Sequence, residues 1–94
     1  MTSLMTALGL AATLAVSPAF AQQTCKVMDP TGTRLNVRAE PNGRVISTLP
    51  NGRLVKIVDL ALDGKERPWA LIVTLDGPRR QAGWVFREFI ACLD

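Results

Sequence analysis

Few side chains in this sequence can do chemistry, and their types already decide much. The 94 residues contain no histidine. General acid–base catalysis near neutral pH, the Ser-His-Asp and Cys-His nucleophile arrangements and His-bearing zinc sites all draw on imidazole, so none of these is open to the chain. The carboxylates Asp59, Asp63, Glu66 and Asp76 fall at strand ends or among turn residues, a placement that suits a solvated surface better than the carboxylate dyad of a glycosidase. Two cysteines, Cys25 and Cys92, are too few for a metal centre, which wants three or four ligands. No glycine-rich segment follows a strand and opens a helix, so there is no phosphate cradle. The sequence therefore reads as non-enzymatic, with no cofactor and no metal.

Recognition is left to aromatic and guanidinium groups. Trp69 follows Pro68 at a strand start, where an indole either packs into the core or stays half exposed and stacks on a sugar ring, an aromatic or a proline. Arg79 and Arg80 follow Gly77-Pro78 at a hairpin tip. With Arg67 they have the chemistry to clamp a carboxylate bidentately, although exposed tips are commonly charged without any ligand. The expected ligand residues are Trp69, Arg67, Arg79 and Arg80, on a face where the connection 59–68 and the tip 76–80 flank Trp69. Trp84 is expected to pack under the end of the fold, and Arg38 to form an internal ion pair or cap carbonyls. The absence of tyrosine argues against a groove for Pro-x-x-Pro peptides, which are gripped by aromatic-lined surfaces.

The elements that must position these residues are strands. Residues 4–16 are unbroken apolar or small, and Ala19-Phe20-Ala21 supplies a small-x-small cleavage signal, so residues 1–21 read as a secretory leader, although no Lys or Arg precedes Leu4. The apolar stretch falls short of the roughly 18 residues a membrane span needs. Cys25 follows Gln22-Gln23-Thr24 rather than the Leu-small-small triplet of a lipid-modified cysteine. Beyond the leader no helical stripe is sustained. Short β-branched runs at 24–28, 35–37, 45–49, 54–62, 69–75, 81–86 and 90–93 alternate with turn residues, which is an all-β pattern.

The tetrapeptide PNGR occurs twice, at 41–44 and 50–53, bracketing one short strand. It reads as one turn solution used twice, proline presetting φ and glycine taking the positive-φ position. One domain of 22–94 is small enough that its core alone yields only ~3–5 kcal/mol. Cys25 and Cys92 lie near its two ends, and an exported chain meets an oxidising compartment, so a bridge between them is expected, given first and last strands that are neighbours. The net charge of +3 is too mild for a nucleic-acid footprint.

Taken together, LNVRAEP, VISTLPNG and AGWVFREFI resemble the bacterial SH3-like domain family, often called SH3b. The matching positions are Leu35, Asn36, Val37, Arg38, Pro41, Val45, Ile46, Leu49, Pro50, Gly52, Val55, Trp69, Gly83, Trp84 and Val85. The loop after Arg38 is shorter than the pattern, segment 59–68 is longer, and Ala70 stands where an aromatic is common. The resemblance implies a small SH3-like barrel of five to seven strands acting as a non-catalytic binding module. Its implied partners are cell-wall peptidoglycan or its peptides, or alternatively a periplasmic protein that it binds or inhibits. A monomeric, periplasmic or secreted protein is expected. Mature protein should begin at Gln22; an intact mass that retains residues 1–21, or a lipid on Cys25, would contradict soluble export.

Overall fold

The computed structural model describes residues 23–92; the expected leader 1–21, Gln22 and the last two residues lie outside them. Seven strands run in order: β1 (Cys25–Val27), β2 (Leu35–Arg38), β3 (Val45–Leu49), β4 (Leu54–Leu62), β5 (Pro68–Thr74), β6 (Ala82–Phe86) and β7 (Ile90–Cys92). One turn of 3-10 helix, Arg87–Phe89, joins the last two. Every strand end falls within one residue of the sequence expectation, because β-branched runs bounded by Pro, Gly, Asn and Asp leave the backbone little choice. No helix among the described residues is long and apolar enough to cross a membrane.

All pairings are antiparallel, in the sheet order β3-β2-β6-β5-β4-β1-β7, an all-β arrangement consistent with an SH3-like barrel. One face carries the core. Leu35 and Val37 of β2, Val55 and Ile57 of β4, Ile72 of β5 and Val85 of β6 are buried in one cluster with Cys25, Val27, Leu49 and Ile90. The period-2 alternation that sends these side chains inward fails in two places, and both bear on function. In β4 the register shifts between Ile57 and Asp59. Val58 is the extra residue of this bulge, so Leu60 pairs with buried Ala70 and takes that side of the sheet, where it lies beyond the core and is 46% exposed. In β5, Trp69 and Ala70 are both fully buried. Adjacent strand residues face opposite ways, so both faces of the sheet are covered there.

The two PNG sites are different turns. In the first, the Gly43 N–H donates to the Glu40 carbonyl at 2.8 Å and Asn42 itself takes the positive φ, 58°. In the second, the Arg53 N–H donates to the Pro50 carbonyl at 3.3 Å and Gly52 takes it, at 89°. Each meets half of the expected pattern. Their arginines differ as well: Arg44 is exposed, while Arg53 is drawn into a clamp on the β5–β6 tip.

The first and last strands are neighbours. Cys25 stands directly opposite Cys92 in the β1–β7 pair, and the two form a disulfide across 67 positions of sequence. Closing a loop of this length restricts the unfolded chain by about 4 kcal/mol in the chain-entropy view, and removing such a bridge from a small domain costs about 2–5 kcal/mol. Cys92→Ser should therefore lower stability by that amount in a denaturant titration. Reduced and oxidised protein melting at the same temperature would show that the core suffices unaided.

Candidate functional site on the outer face of the sheet

Opposite the core, the register lines up a second set of side chains. Trp84 of β6 pairs with Leu71 of β5 on one side and with Arg38 of β2 on the other. Leu71 pairs with Asp59, and Arg38 with Val45. One strand step along, Trp69 pairs with Phe86 and with Ala61. Cross-strand partners share a face, so Val45, Arg38, Trp84 and Leu71 form a stripe on the outer surface, and Trp69 and Phe86 form the row beside it.

Trp69 is sealed in this layer. Its ring stacks on Phe86 with centroids 4.0 Å apart and 28° between planes, and Phe89 meets Phe86 edge-on at 5.9 Å. The Arg38 guanidinium lies 5.8 Å from the Trp69 ring centroid and that of Arg67 5.2 Å from Phe86, so each ring of the stacked pair carries a cation near its π system. Arg38 also donates to the Gly43 carbonyl at 2.8 Å, the carbonyl-capping role expected of it.

The β4–β5 loop closes the layer from the side. Asp63, whose side chain is only 2% exposed, accepts from the Trp69 indole N–H and the Arg67 Nε–H, each at 2.9 Å, and from the backbone N–H groups of Lys65 and Arg67 at 2.8 and 3.0 Å. Burial alone pushes this carboxyl up. The Trp69 indole bond, the Arg67 and Lys65 backbone bonds and the Arg67 guanidinium together outweigh that and hold it well below the usual carboxylate range.

The structure thus places the expected ligand residues as follows. Trp69 is fully buried, with no face for a ligand, whereas Trp84 is partly exposed and its indole N–H has no hydrogen-bond partner among the described residues. The expectation that Trp84 packs beneath the fold is corrected accordingly. Arg67 and Trp69 come together through Asp63. Arg79 and Arg80 do not join them: β5 separates the two groups, and seven residues at ~3.3 Å each put roughly 20 Å between its ends. The tip that carries them is held elsewhere, by Arg53, which pairs with Asp76 at 2.7 Å and donates to the Asp76 and Arg79 carbonyls. Ala70, where an aromatic is common, points into the core rather than toward this face. Sequence reading missed Asp63 as an acceptor and Arg53 as a clamp. Asp-Gly signalled the turn at 63–64 but not what its carboxylate would collect.

The strands form a small antiparallel barrel with an aromatic and guanidinium surface. Residues 33–91, well over half of the chain, match the family model of the bacterial SH3 domain, and the chain belongs to that family. Comparison with curated proteins and with solved structures returns no match.

The depressed Asp63 pKa fixes a sign. A carboxylate whose folded value lies below its unfolded value, about 3.9, contributes stability that is present above about pH 4 and is lost as pH falls through the folded value. Asp63→Asn should lower the melting temperature at pH 7 by several degrees and flatten its decline below pH 4. A variant with wild-type stability and an unchanged acid limb would show that the carboxylate does not anchor the layer.

Proposed function

We propose that this domain is an exported, non-catalytic module that engages cell-wall peptidoglycan through its outer face. The observation that carries the reading is Trp84: a partly exposed indole whose N–H has no hydrogen-bond partner among the described residues, flanked in register by Arg38 and Leu71 and bordered by the stacked Trp69–Phe86 row. An exposed indole offers a flat apolar surface with one donor, a match for the face of a sugar ring and its polar rim, and the neighbouring guanidinium groups suit peptide carboxylates. Arg67, 41% exposed along its side chain, keeps donors beyond the one it gives Asp63. In this reading Trp69 supports the face from the adjoining row, and Arg79 and Arg80 make a separate electrostatic contact at the far end of β5. The disulfide supports export, because such bridges persist in oxidising compartments. Family membership supports a cell-wall or protein ligand.

A second reading, a periplasmic protein partner that the domain binds or inhibits, draws on β3. This edge strand exposes Val45 and Ile46 at 43% and 46%, and unpaired edges take up extended segments from other chains.

Co-sedimentation with purified sacculi, run beside capture from periplasmic extract, separates the two. Trp84→Ala should weaken sacculus binding tenfold or more, about 1.4 kcal/mol, while the protein stays folded. Raising salt from 0.1 to 1 M, which shortens the screening length from about 10 to about 3 Å, should remove the arginine contribution and leave the stacking one. Undiminished binding by Trp84→Ala would eliminate the outer face as the site.

A further inference from the structure

At the opposite end of β5 three loops are pinned together. Asn51 bonds both backbone groups of Asp29, accepting its N–H at 2.7 Å and donating to its carbonyl at 3.1 Å. The Gly52 N–H donates to Val27 and the Val27 N–H to Arg53. Arg53 in turn holds the 75–80 tip through Asp76. Gly77 is required there, since its φ is 88° and a Cβ would collide with the Arg53 guanidinium.

Between the first two loops lies a cavity of about 270 Å³, bounded by Lys26, Val27, Met28, Pro30 and Gly52 together with the Asp29–Asn51 clamp. Its lining is largely apolar and includes Pro30 and Met28, the latter half exposed. The volume lies just under the ~300–1,000 Å³ of sites for drug-sized ligands, so it accommodates one large apolar side chain with its backbone rather than a long acyl chain.

The charges around it are unequal. Asp76 is paired with Arg53, and the Asp29 carboxylate is turned into its own loop, accepting from the Thr31 N–H at 2.9 Å and the Thr31 hydroxyl at 2.6 Å. Lys26 has no hydrogen-bond or ion-pair partner among the described residues, nor do the guanidinium groups of Arg79 and Arg80. Three cations without an ion-pair partner among the described residues therefore border, or sit on the loop tied beside, this pocket, against one such carboxylate, that of Asp29.

We propose that this cavity is a second binding site, which takes the apolar C-terminal residue of a peptide, seating its side chain against Met28 and Pro30 and its carboxylate by Lys26. The tip arginines attract the anion and raise its local concentration. The site is independent of the outer face and of what that face binds.

The test uses the bridged protein, 15N-labelled, with N-acetyl-leucine and N-acetyl-leucinamide as probes at fixed ionic strength. The acid should produce saturable shifts at the amides of Val27, Met28 and Gly52, with a dissociation constant on the order of 1–10 mM, and the neutral amide should bind at least fivefold more weakly. Lys26→Met keeps the stem and removes the charge, so it should bring the acid down to the level of the amide. Arg79→Ala with Arg80→Ala should weaken the acid about two- to threefold at low salt only, and Trp84→Ala should change nothing here. Equal binding of acid and amide, unaltered acid binding by Lys26→Met, or no saturable shift at these amides would each overturn the proposal.

Discussion

The outer face depends on one carboxylate. Strand β5 must bury a tryptophan on the side of the sheet away from the core, and an indole N–H removed from water needs an acceptor. Asp63 supplies it and gathers three more donors onto the same two oxygens. The cost of burying the charge is met by that density of hydrogen bonds, which also shapes the loop, since the backbone donors at 65 and 67 come from the turn the aspartate opens. Glu66 is carried into a positive φ of 63°, a conformation that a glutamate adopts only when its surroundings impose it. With Trp69 fixed, Phe86 has a flat partner and Arg67 a defined direction. Trp84, one strand step away, has a fixed neighbouring row, and its own N–H has no hydrogen-bond partner among the described residues.

The far end is held by different means. β1 lies outside the residues that match the family model, pairs with β4 over only two residues and with β7 over three, and is too short to hold its place by ladder bonds. The disulfide fixes it to β7, the Asn51–Asp29 clamp fixes the loop that leaves it, and the Arg53–Asp76 pair ties the β3–β4 turn to the β5–β6 tip. Arg53 is mostly buried, at 14% exposure along its side chain, and its bonds to backbone carbonyls define the tip in a way that a surface ion pair alone would not.

Strand positions were legible because β-branched runs and turn residues are local signals. Facing was legible only in part. The bulge at Val58 lies inside an apolar run, VDLAL, where either phase looks acceptable, and only the partner strand decides it. Which tryptophan is buried was not legible at all: Trp69 and Trp84 each sit in a short strand beside apolar neighbours, and the difference between them is a loop carboxylate that reaches one indole and not the other. The arginine groups were misjudged for a related reason. Proximity in sequence to the two ends of β5 says nothing of the length of strand that keeps those ends apart. The disulfide, by contrast, needed no facing information, only export and neighbouring terminal strands.

The two ends of β5 consequently present different physics from one small scaffold. At the Trp69 end the guanidinium groups lie on aromatic rings, and Arg67 is paired with a buried carboxylate, so their field is largely spent within the protein and a ligand gains mainly from contact at van der Waals distance. At the three-loop end Lys26, Arg79 and Arg80 outnumber the one unpaired carboxylate, Asp29, and their attraction extends over about a Debye length, ~8 Å at physiological salt. An anionic partner would be drawn first toward the three-loop end, and Trp84, opposite Leu71 at the middle of β5, lies only about 10 Å along the strand from that end. Two weak contacts this close on one partner would raise the effective concentration of the second once the first has formed.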